Sequence, residues 1–390
     1  VRVALASRIY DPEPAAAAFR LRALAEALAE EGHDVQVLTV AAPRGTVPGP
    51  VGERVRVRRW PVLRDRQGYV RGYVQYLSFD VPLFLRLLLT RSLDVVVAEP
   101  PPTTGVAVRL ACAVRRIPYV YYAADVWSDA ADTSGAAPGP VVRALRAVES
   151  WVLRGAARVV AVTDGVADRV RELGARDVAV VRNGIDTEVF RPDGEPAASR
   201  PPGPYAVYAG TTSEWQGADV FVRALPAVRA AVPGATLVFL GQGSAWEEIE
   251  RVARSLPDGA EAVRMLRTVP PAEASAWLRG ARAALVSLRP GLGYDFAFPT
   301  KVYAGLASGT PVLYAGPGAA RTVIRQDRLG AAVDHDVDEV ARALSELLAV
   351  EPAPTERTRL ARWAEENASA RARARTVAEV VRGASRGARP

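Results

Sequence analysis

Two doubly wound α/β domains in tandem are the fold class this sequence predicts, on three observations. Short continuous runs of Val, Ile and Leu alternate with helical patterns. Such runs suit strands buried on both faces of a parallel sheet. The strand–helix rhythm runs through the first half and restarts at residue 205. Between the halves lies a Pro- and Gly-rich stretch, Arg191–Pro204, with the composition of an interdomain linker. A chain of 390 residues has room for two domains, each with its own core.

Val1–Ser7 reads as the opening strand. A helix follows over Glu13–Glu31, with Phe19, Leu21, Leu24 and Leu28 on a helical spacing. Val35–Val40 and Val55–Trp60 are strands, and Tyr69–Thr90 is a long helix. Asp94–Ala98, Tyr119–Ala123, Val159–Val162 and Val178–Val181 complete the first set of strands, with helices between them. After the linker, strands are expected at Tyr205–Ala209, Thr236–Leu240, Ala262–Met265, Ala283–Leu288, Pro311–Tyr314 and Ala331–Val333. Helices fall at Gly217–Val232, Ala245–Ser255, Pro271–Arg279, Thr300–Ser308 and Val337–Leu348. The Arg/Ala-rich segment Pro352–Ala384 is helical and is expected to fold back over the first domain. The expected domains are 1–190 and 205–365, with a linker over 191–204 and a returning helix over 366–390. Open α/β sheets bind ligands at the carboxyl ends of their strands, so a cleft between the two sheets is the expected site.

The apolar runs are too short and too charge-flanked to span a bilayer. The chain opens on a strand-like run with no basic segment or cleavage site before it, and its one cysteine, Cys112, sits in an apolar helical pattern. The cytoplasm is the expected compartment. Two histidines and one cysteine leave little for a zinc site, so no metal is expected. A net charge of +7 points to anionic partners. The arginines are scattered and no nucleic-acid motif is present, which favours a nucleoside-diphosphate ligand or an acidic membrane surface. Arg64, Arg66 and Arg71 interleave with Tyr69, Tyr73 and Tyr76 as in an interfacial helix. The competing reading is a helix packed on the first sheet with a solvated basic face.

Lys301 is the only lysine; the other 49 of the 50 basic residues are arginines. Arg is a planar fork and Lys a compact point charge, so a chain that keeps one ammonium has a chemical use for it. Pro299 and Thr300 open a short helix, Gly309 closes it and Pro311 forbids its continuation. A lysine in the first turn is unfavourable beside the helix dipole unless an anion lies between them. The pattern reads as half of a diphosphate site, against the alternative of a stray surface lysine.

Five stretches could carry chemistry. Tyr208–Gly217 runs from a buried strand through a Gly turn into a helix, so Gly210, Thr211, Thr212 and Gln216 are candidate phosphate contacts. Gly241 ends the next strand and suits close approach of a ligand, or a plain turn. The loop Leu288–Lys301 supplies Arg289 as a cation, with Gly291, Leu292, Gly293 and Tyr294 free to wrap a pyrophosphate and Thr300 and Tyr303 beside the lysine. In the first half, Asp125 and Trp127 follow a strand. Asp125 could orient an acceptor hydroxyl or act as a base, or it could cap the next turn. Tyr10, Glu13, Ala15 and Ala16 form the first strand–helix loop, where small residues permit close backbone approach and Glu13 doubles as a helix-terminal charge. Asp334-His335-Asp336 resembles an acidic metal motif, but Asp336 makes a good cap for the following helix. His33, in Gly32-His33-Asp34, reads as a turn residue.

These segments, in this order, resemble a family-4 glycosyltransferase of the GT-B fold over almost the whole chain. The markers are Tyr10–Glu13, Gly32–Val35, Glu99–Thr104, Asp125–Trp127, Glu149–Ala156, Asn183–Pro192, Gly241–Gly243 and Pro299–Val312. The nearest flavour is the amino-sugar and deoxysugar branch of surface-polysaccharide pathways. The resemblance implies retaining, metal-independent transfer from a nucleotide-diphosphate sugar to a glycan, lipid-linked sugar or secondary metabolite, with no cofactor. It implies that Lys301 stabilises the departing diphosphate and that Arg267, Thr268 and Val269 meet the base. Phe296 and Ala304 stand where many members have glutamates, the second of which commonly holds the ribose. Thr211 and Gln216 replace a basic pair, and Ala15-Ala16 replaces frequent glycines. A nucleotide-sugar epimerase on the same plan and a non-catalytic partner of another transferase are the competing readings.

Overall fold

The computed structural model describes residues 1–13, 15–42, 49–64, 70, 72–133, 138–292, 295 and 298–386. It forms two compact units, Val1–Asn183 with Ala370–Pro390, and Gly184–Ser369.

The first unit is built on strands β1 (Arg2–Ala6), β2 (Asp34–Val40), β3 (Val55–Trp60), β4 (Val95–Ala98), β5 (Tyr119–Ala123), β6 (Arg158–Ala161) and β7 (Val178–Val180). They form one parallel sheet in the order β3-β2-β1-β4-β5-β6-β7. Helices α1 (Ala16–Glu30), α2 (Tyr73–Leu89), α3 (Pro102–Arg115), α4 (Trp127–Thr133), α5 (Gly139–Gly155) and α6 (Asp164–Glu172) connect them. The central strands are apolar on both faces, as a helix-covered sheet requires: β4 and β5 are buried at every position. Ala6 lies opposite Leu38 on one side and Ala98 on the other. Winding reverses there, between β1 and β4.

The second unit repeats the plan with β8 (Tyr205–Ala209), β9 (Thr236–Leu240), β10 (Val263–Leu266), β11 (Ala283–Ser287), β12 (Val312–Ala315) and β13 (Gly330–Val333). Their order is β10-β9-β8-β11-β12-β13, again parallel, with the reversal between β8 and β11. Its helices are α7 (Asp219–Ala231), α8 (Trp246–Ser255), α9 (Gly259–Ala262), α10 (Pro271–Gly280), α11 (Thr300–Ala307), α12 (Ala319–Gln326), α13 (Val337–Ala349) and α14 (Pro354–Ala368). The last helix, α15 (Ala370–Arg386), belongs to the first unit.

Three expectations change. The first helix begins at Ala16, because Glu13 N–H donates to the Tyr10 carbonyl and Ala15 N–H to that of Glu13, forming a turn ahead of it. The stretch 191–204 packs on the second unit: Ala197 is buried and hydrogen-bonds Ala276, while Arg279 donates to the carbonyls of Arg191 and Glu195. The C-terminal segment is two helices. Leu360 and Ala364 of α14 join the second core, and Val377, Ala378 and Val381 of α15 join the first.

Candidate active site

α11 places Lys301. Pro299 caps its start without a side-chain hydrogen bond, Thr300 and Lys301 fill its first turn, and Gly309, at φ +75°, ends it. Gly305 lets the helix press onto β11, since a Cβ there would stand 2.5 Å from that of Ala284. The Lys301 amine therefore lies at the carboxyl edge of the sheet, beside the reversal between β8 and β11. Its Nζ stands 5.1 Å from the centre of the Tyr208 ring. A Cβ on Gly210, at φ +124°, would come within 3.0 Å of the lysine Cε and 3.5 Å of Nζ. Among the described residues no carboxylate pairs with it. By area the residue is half-buried, yet protein crowds the ammonium, and burial pulls it from its ordinary 10.5 down to about 7.

The loops around this amine are stitched to one another. Gly241, at φ +149°, lies so close to Gly210 that a Cβ would overlap the Gly210 carbonyl. Thr212 donates its N–H to Gln242 and accepts from Ala245. The Thr212 side chain is buried, a linking role in place of the expected surface contact. Thr211 stays exposed. Gln216 is buried, and its Oε1 accepts from Ser213 N–H at 2.9 Å and lies 3.1 Å from the Tyr208 hydroxyl. The backbone donor fixes which amide atom is oxygen.

Arg289 donates to Asp219 at 2.8 Å and packs over Gly217. Asp219 also accepts from Arg223 at 2.9 Å. Burial alone would raise its carboxyl, but Arg223 and Arg289 outweigh it and hold it below the ordinary range. The trio keeps one net positive charge. Gly291 and Leu292 are exposed, and Gly291 N–H donates to Asp295, which thereby closes its own loop. Gly293, Tyr294 and Phe296 lie outside the described residues. Arg267 and Thr268 are exposed after β10, with Val269 half-buried.

Two donor-side positions are taken up by packing. Tyr303 is buried in a stack between Phe298, at 4.8 Å, and Trp363 of α14, where it packs helix on helix. Ala304 is buried in the core, so the position of the usual second glutamate faces packing. The acidic triplet resolves as ordinary structure. Asp336 caps α13, Asp334 pairs with Arg321, and His335 bonds the Gly217 carbonyl at 2.9 Å.

In the first unit the cap expected of Asp125 is supplied by Glu149. Its buried carboxylate accepts from Trp127 N–H at 2.8 Å and Ser128 N–H at 3.0 Å. Asp125 is left exposed and unbonded among the described residues. Surrounding protein pushes its carboxyl above the ordinary range, and Arg20 pulls the other way. Trp127 packs edge-on against Tyr76. Tyr10 is buried and belongs to the core of the first unit. Glu13 pairs with Arg64 at 3.2 Å and stands outside the first turn of α1; Ala15 and Ala16 begin that helix. At the β1/β4 reversal, Glu99 accepts from Ser7 at 2.8 Å and pairs with Arg20, which also donates to Asn183 at 3.0 Å.

Two parallel, doubly wound units, each with a reversal that leaves room at its carboxyl edge, define the GT-B architecture. The first unit matches the family described as glycosyl transferase 4-like domain over residues 16–184, and the second matches glycosyl transferases group 1 over residues 203–350. The two domain families stand in order and take in most of the chain, which belongs to the GT-B glycosyltransferases. The fold is similar to that of sucrose-phosphate synthase from Thermosynechococcus elongatus (TM-score 0.75, 16% identity, 98% of both chains covered). It is also similar to WaaG, a glycosyltransferase involved in lipopolysaccharide biosynthesis (0.73, 15%, 98% of this chain and 100% of the other). A third similar structure is Anabaena HepE in complex with UDP and glucose (0.67, 13%, 98% and 99%). No protein of curated function matches the chain in sequence.

Proposed function

We propose that the chain moves a sugar from a nucleotide-diphosphate donor to an acceptor hydroxyl with retention, and that Lys301 takes up the charge of the departing diphosphate. The observation that carries this reading is an ammonium with no carboxylate partner among the described residues, lying over Gly210 at the β8/β11 reversal and held at about 7 by burial. A diphosphate would restore the ammonium and be stabilised by it, most strongly as the sugar–oxygen bond breaks and charge grows on the leaving oxygen. Arg289, oriented by Asp219, adds a second cation for the same phosphates. The bond from C1 to the diphosphate oxygen breaks, the acceptor oxygen bonds C1 on the same face, and its proton passes to a phosphate oxygen of the leaving group. No resident metal or cofactor is required. The similar fold that holds UDP supports a nucleotide donor. Asp125, unbonded and accessible, is assigned to orienting an acceptor hydroxyl.

The test screens nucleotide sugars by thermal shift, then assays release of nucleoside diphosphate from the best donor with candidate acceptors. Lys301→Ala should keep its circular-dichroism spectrum and lose about 10²–10³-fold in rate, as for loss of a leaving-group stabiliser. Undiminished transfer by that variant would remove the role given to Lys301. Turnover of the donor without an acceptor, giving an isomerised nucleotide sugar, would favour an epimerase.

A further inference from the structure

α2 is apolar on both sides. Its inner face gives Phe79, Leu83 and Leu87 to the core of the first unit. Its outer face carries Val74, Leu77, Val81, Leu85 and Leu89, which are 63%, 53%, 57%, 52% and 81% exposed. These five recur at helical spacing, so they form one continuous stripe. A solvated helix face normally carries charged or polar side chains in those places. Trp60, at the end of β3, extends the stripe: it is 40% exposed and lies under the Arg86 guanidinium of α2. Leu63 extends it as well, its N–H donating to Ser78 of α2 at 3.0 Å.

The charge around the stripe is one-sided. β3, α2 and α3, which packs against α2, contain a single carboxylate, Asp80. That group is buried and bonded to Thr104. Arg56 and Arg58 are exposed on β3, Arg91 follows α2, and none of these three has a carboxylate partner among the described residues. Of the interleaved residues expected to make this contact, those that are described do not supply it, and the Tyr73 side chain is not among the described ones. Tyr76 turns inward onto Arg8 and Trp127, Arg64 pairs with Glu13, and Arg66, Tyr69 and Arg71 lie outside the described residues.

We infer that this face of the first unit rests on the surface of an anionic lipid bilayer, with the aliphatic stripe of α2 at the acyl boundary and the β3 arginines among the headgroups. An apolar stripe with a cationic border, and no exposed carboxylate on β3, α2 or α3 among the described residues, complements that surface and repels few of its groups. α2 has 17 residues, and no described helix is long and apolar enough to cross a membrane, so the helix lies in the interface. The inference is independent of the reaction assigned above and makes no use of Lys301.

The test is sedimentation of the full chain with vesicles of phosphatidylcholine alone, or mixed equally with phosphatidylglycerol. The chain should partition onto the mixed vesicles and release them as salt is raised. Leu77→Ser with Leu85→Ser leaves the charge unchanged and should weaken partitioning at least about tenfold. Arg56→Glu with Arg58→Glu should abolish the preference for phosphatidylglycerol. Failure to bind mixed vesicles, or equal binding by the serine variant, overturns the inference. A chain that sediments as a dimer, and as a monomer once Leu77 and Leu85 are serine, would assign the face to a second copy instead.

Discussion

Both sheets reverse their winding between neighbouring strands, β1 and β4 in the first unit and β8 and β11 in the second, and the two carboxyl edges are furnished differently. At the first, Glu99 is bonded by Ser7 and paired with buried Arg20, which also lies over Tyr122 and reaches Asn183. Glu99 and Arg20 thus neutralise each other within the fold. At the second, the lysine faces an aromatic ring and a glycine, and Asp219, which holds Arg289, is already shared by two arginines. The first reversal therefore holds a closed ion pair, whereas in the function proposed above the second is completed by an anion brought from outside. The same topological position carries a closed structural pair in one unit and, in the proposed function, a binding group in the other.

The largest effect should come from opening the closed side. Glu99→Ala leaves Arg20 buried without its counter-charge, which costs about 3–5 kcal/mol for pairs of this kind. Urea unfolding of the full chain should show the transition of the first unit moved to lower denaturant, with that of the second in place. An unchanged first transition would mean that water already reaches Arg20 and that the edge is not closed.

Next in size is the pH dependence of donor binding. The free amine loses its proton around pH 7, while a bound diphosphate raises its pKa. Affinity for a nucleotide sugar should thus be highest below pH 7 and fall up to about tenfold per pH unit above it, until the pKa of the complex is reached. A nucleotide sugar suits the titration because its esterified diphosphate has no proton to lose near neutrality. Calorimetry in buffers of different ionisation enthalpy should show proton uptake at pH 8. A flat profile would place a counter-ion beside Lys301. A smaller effect follows from Asp219→Asn, which frees Arg289 to rotate: KM should rise several-fold with kcat little changed. An equal loss in kcat would move Arg289 from ground-state binding to stabilisation of the transition state.

The contrast between the two edges was partly legible in the sequence. The strands were, because uninterrupted Val/Ile/Leu runs have few other uses in a chain of ordinary hydrophobicity. Lys301 was, because it is the sole ammonium among arginines and sits at a helix start. What surrounds it was not. Asp219 meets Arg289 70 residues later, and Arg20 meets Glu99 across 79, so neither pairing leaves a local pattern. Tyr10 and Tyr303 look like ligand contacts in a loop and beside a lysine, but each has an apolar body that the core takes up. Asp125 and Glu149 share the reverse lesson. Either could have capped α4, and only the fold shows that the distant glutamate does so and leaves the aspartate unbonded.

A last effect has the opposite sign to the first. Burial costs the Lys301 ammonium stability that no carboxylate among the described residues returns. Between about pH 7 and its ordinary 10.5 the unfolded chain holds one proton more than the folded one, so stability rises with pH across that window, and the penalty is full below it. Lys301→Met keeps the stem and removes the charge. Without ligand it should raise the melting temperature of the second unit at pH 6. The gain should shrink by pH 10, where the native amine is already neutral. Saturating nucleotide sugar should then invert the order, stabilising the native chain and not the variant. A methionine variant that melts lower than the native chain at pH 6 would mean that the amine is satisfied within the fold, and the two edges would then differ in residue type but not in kind.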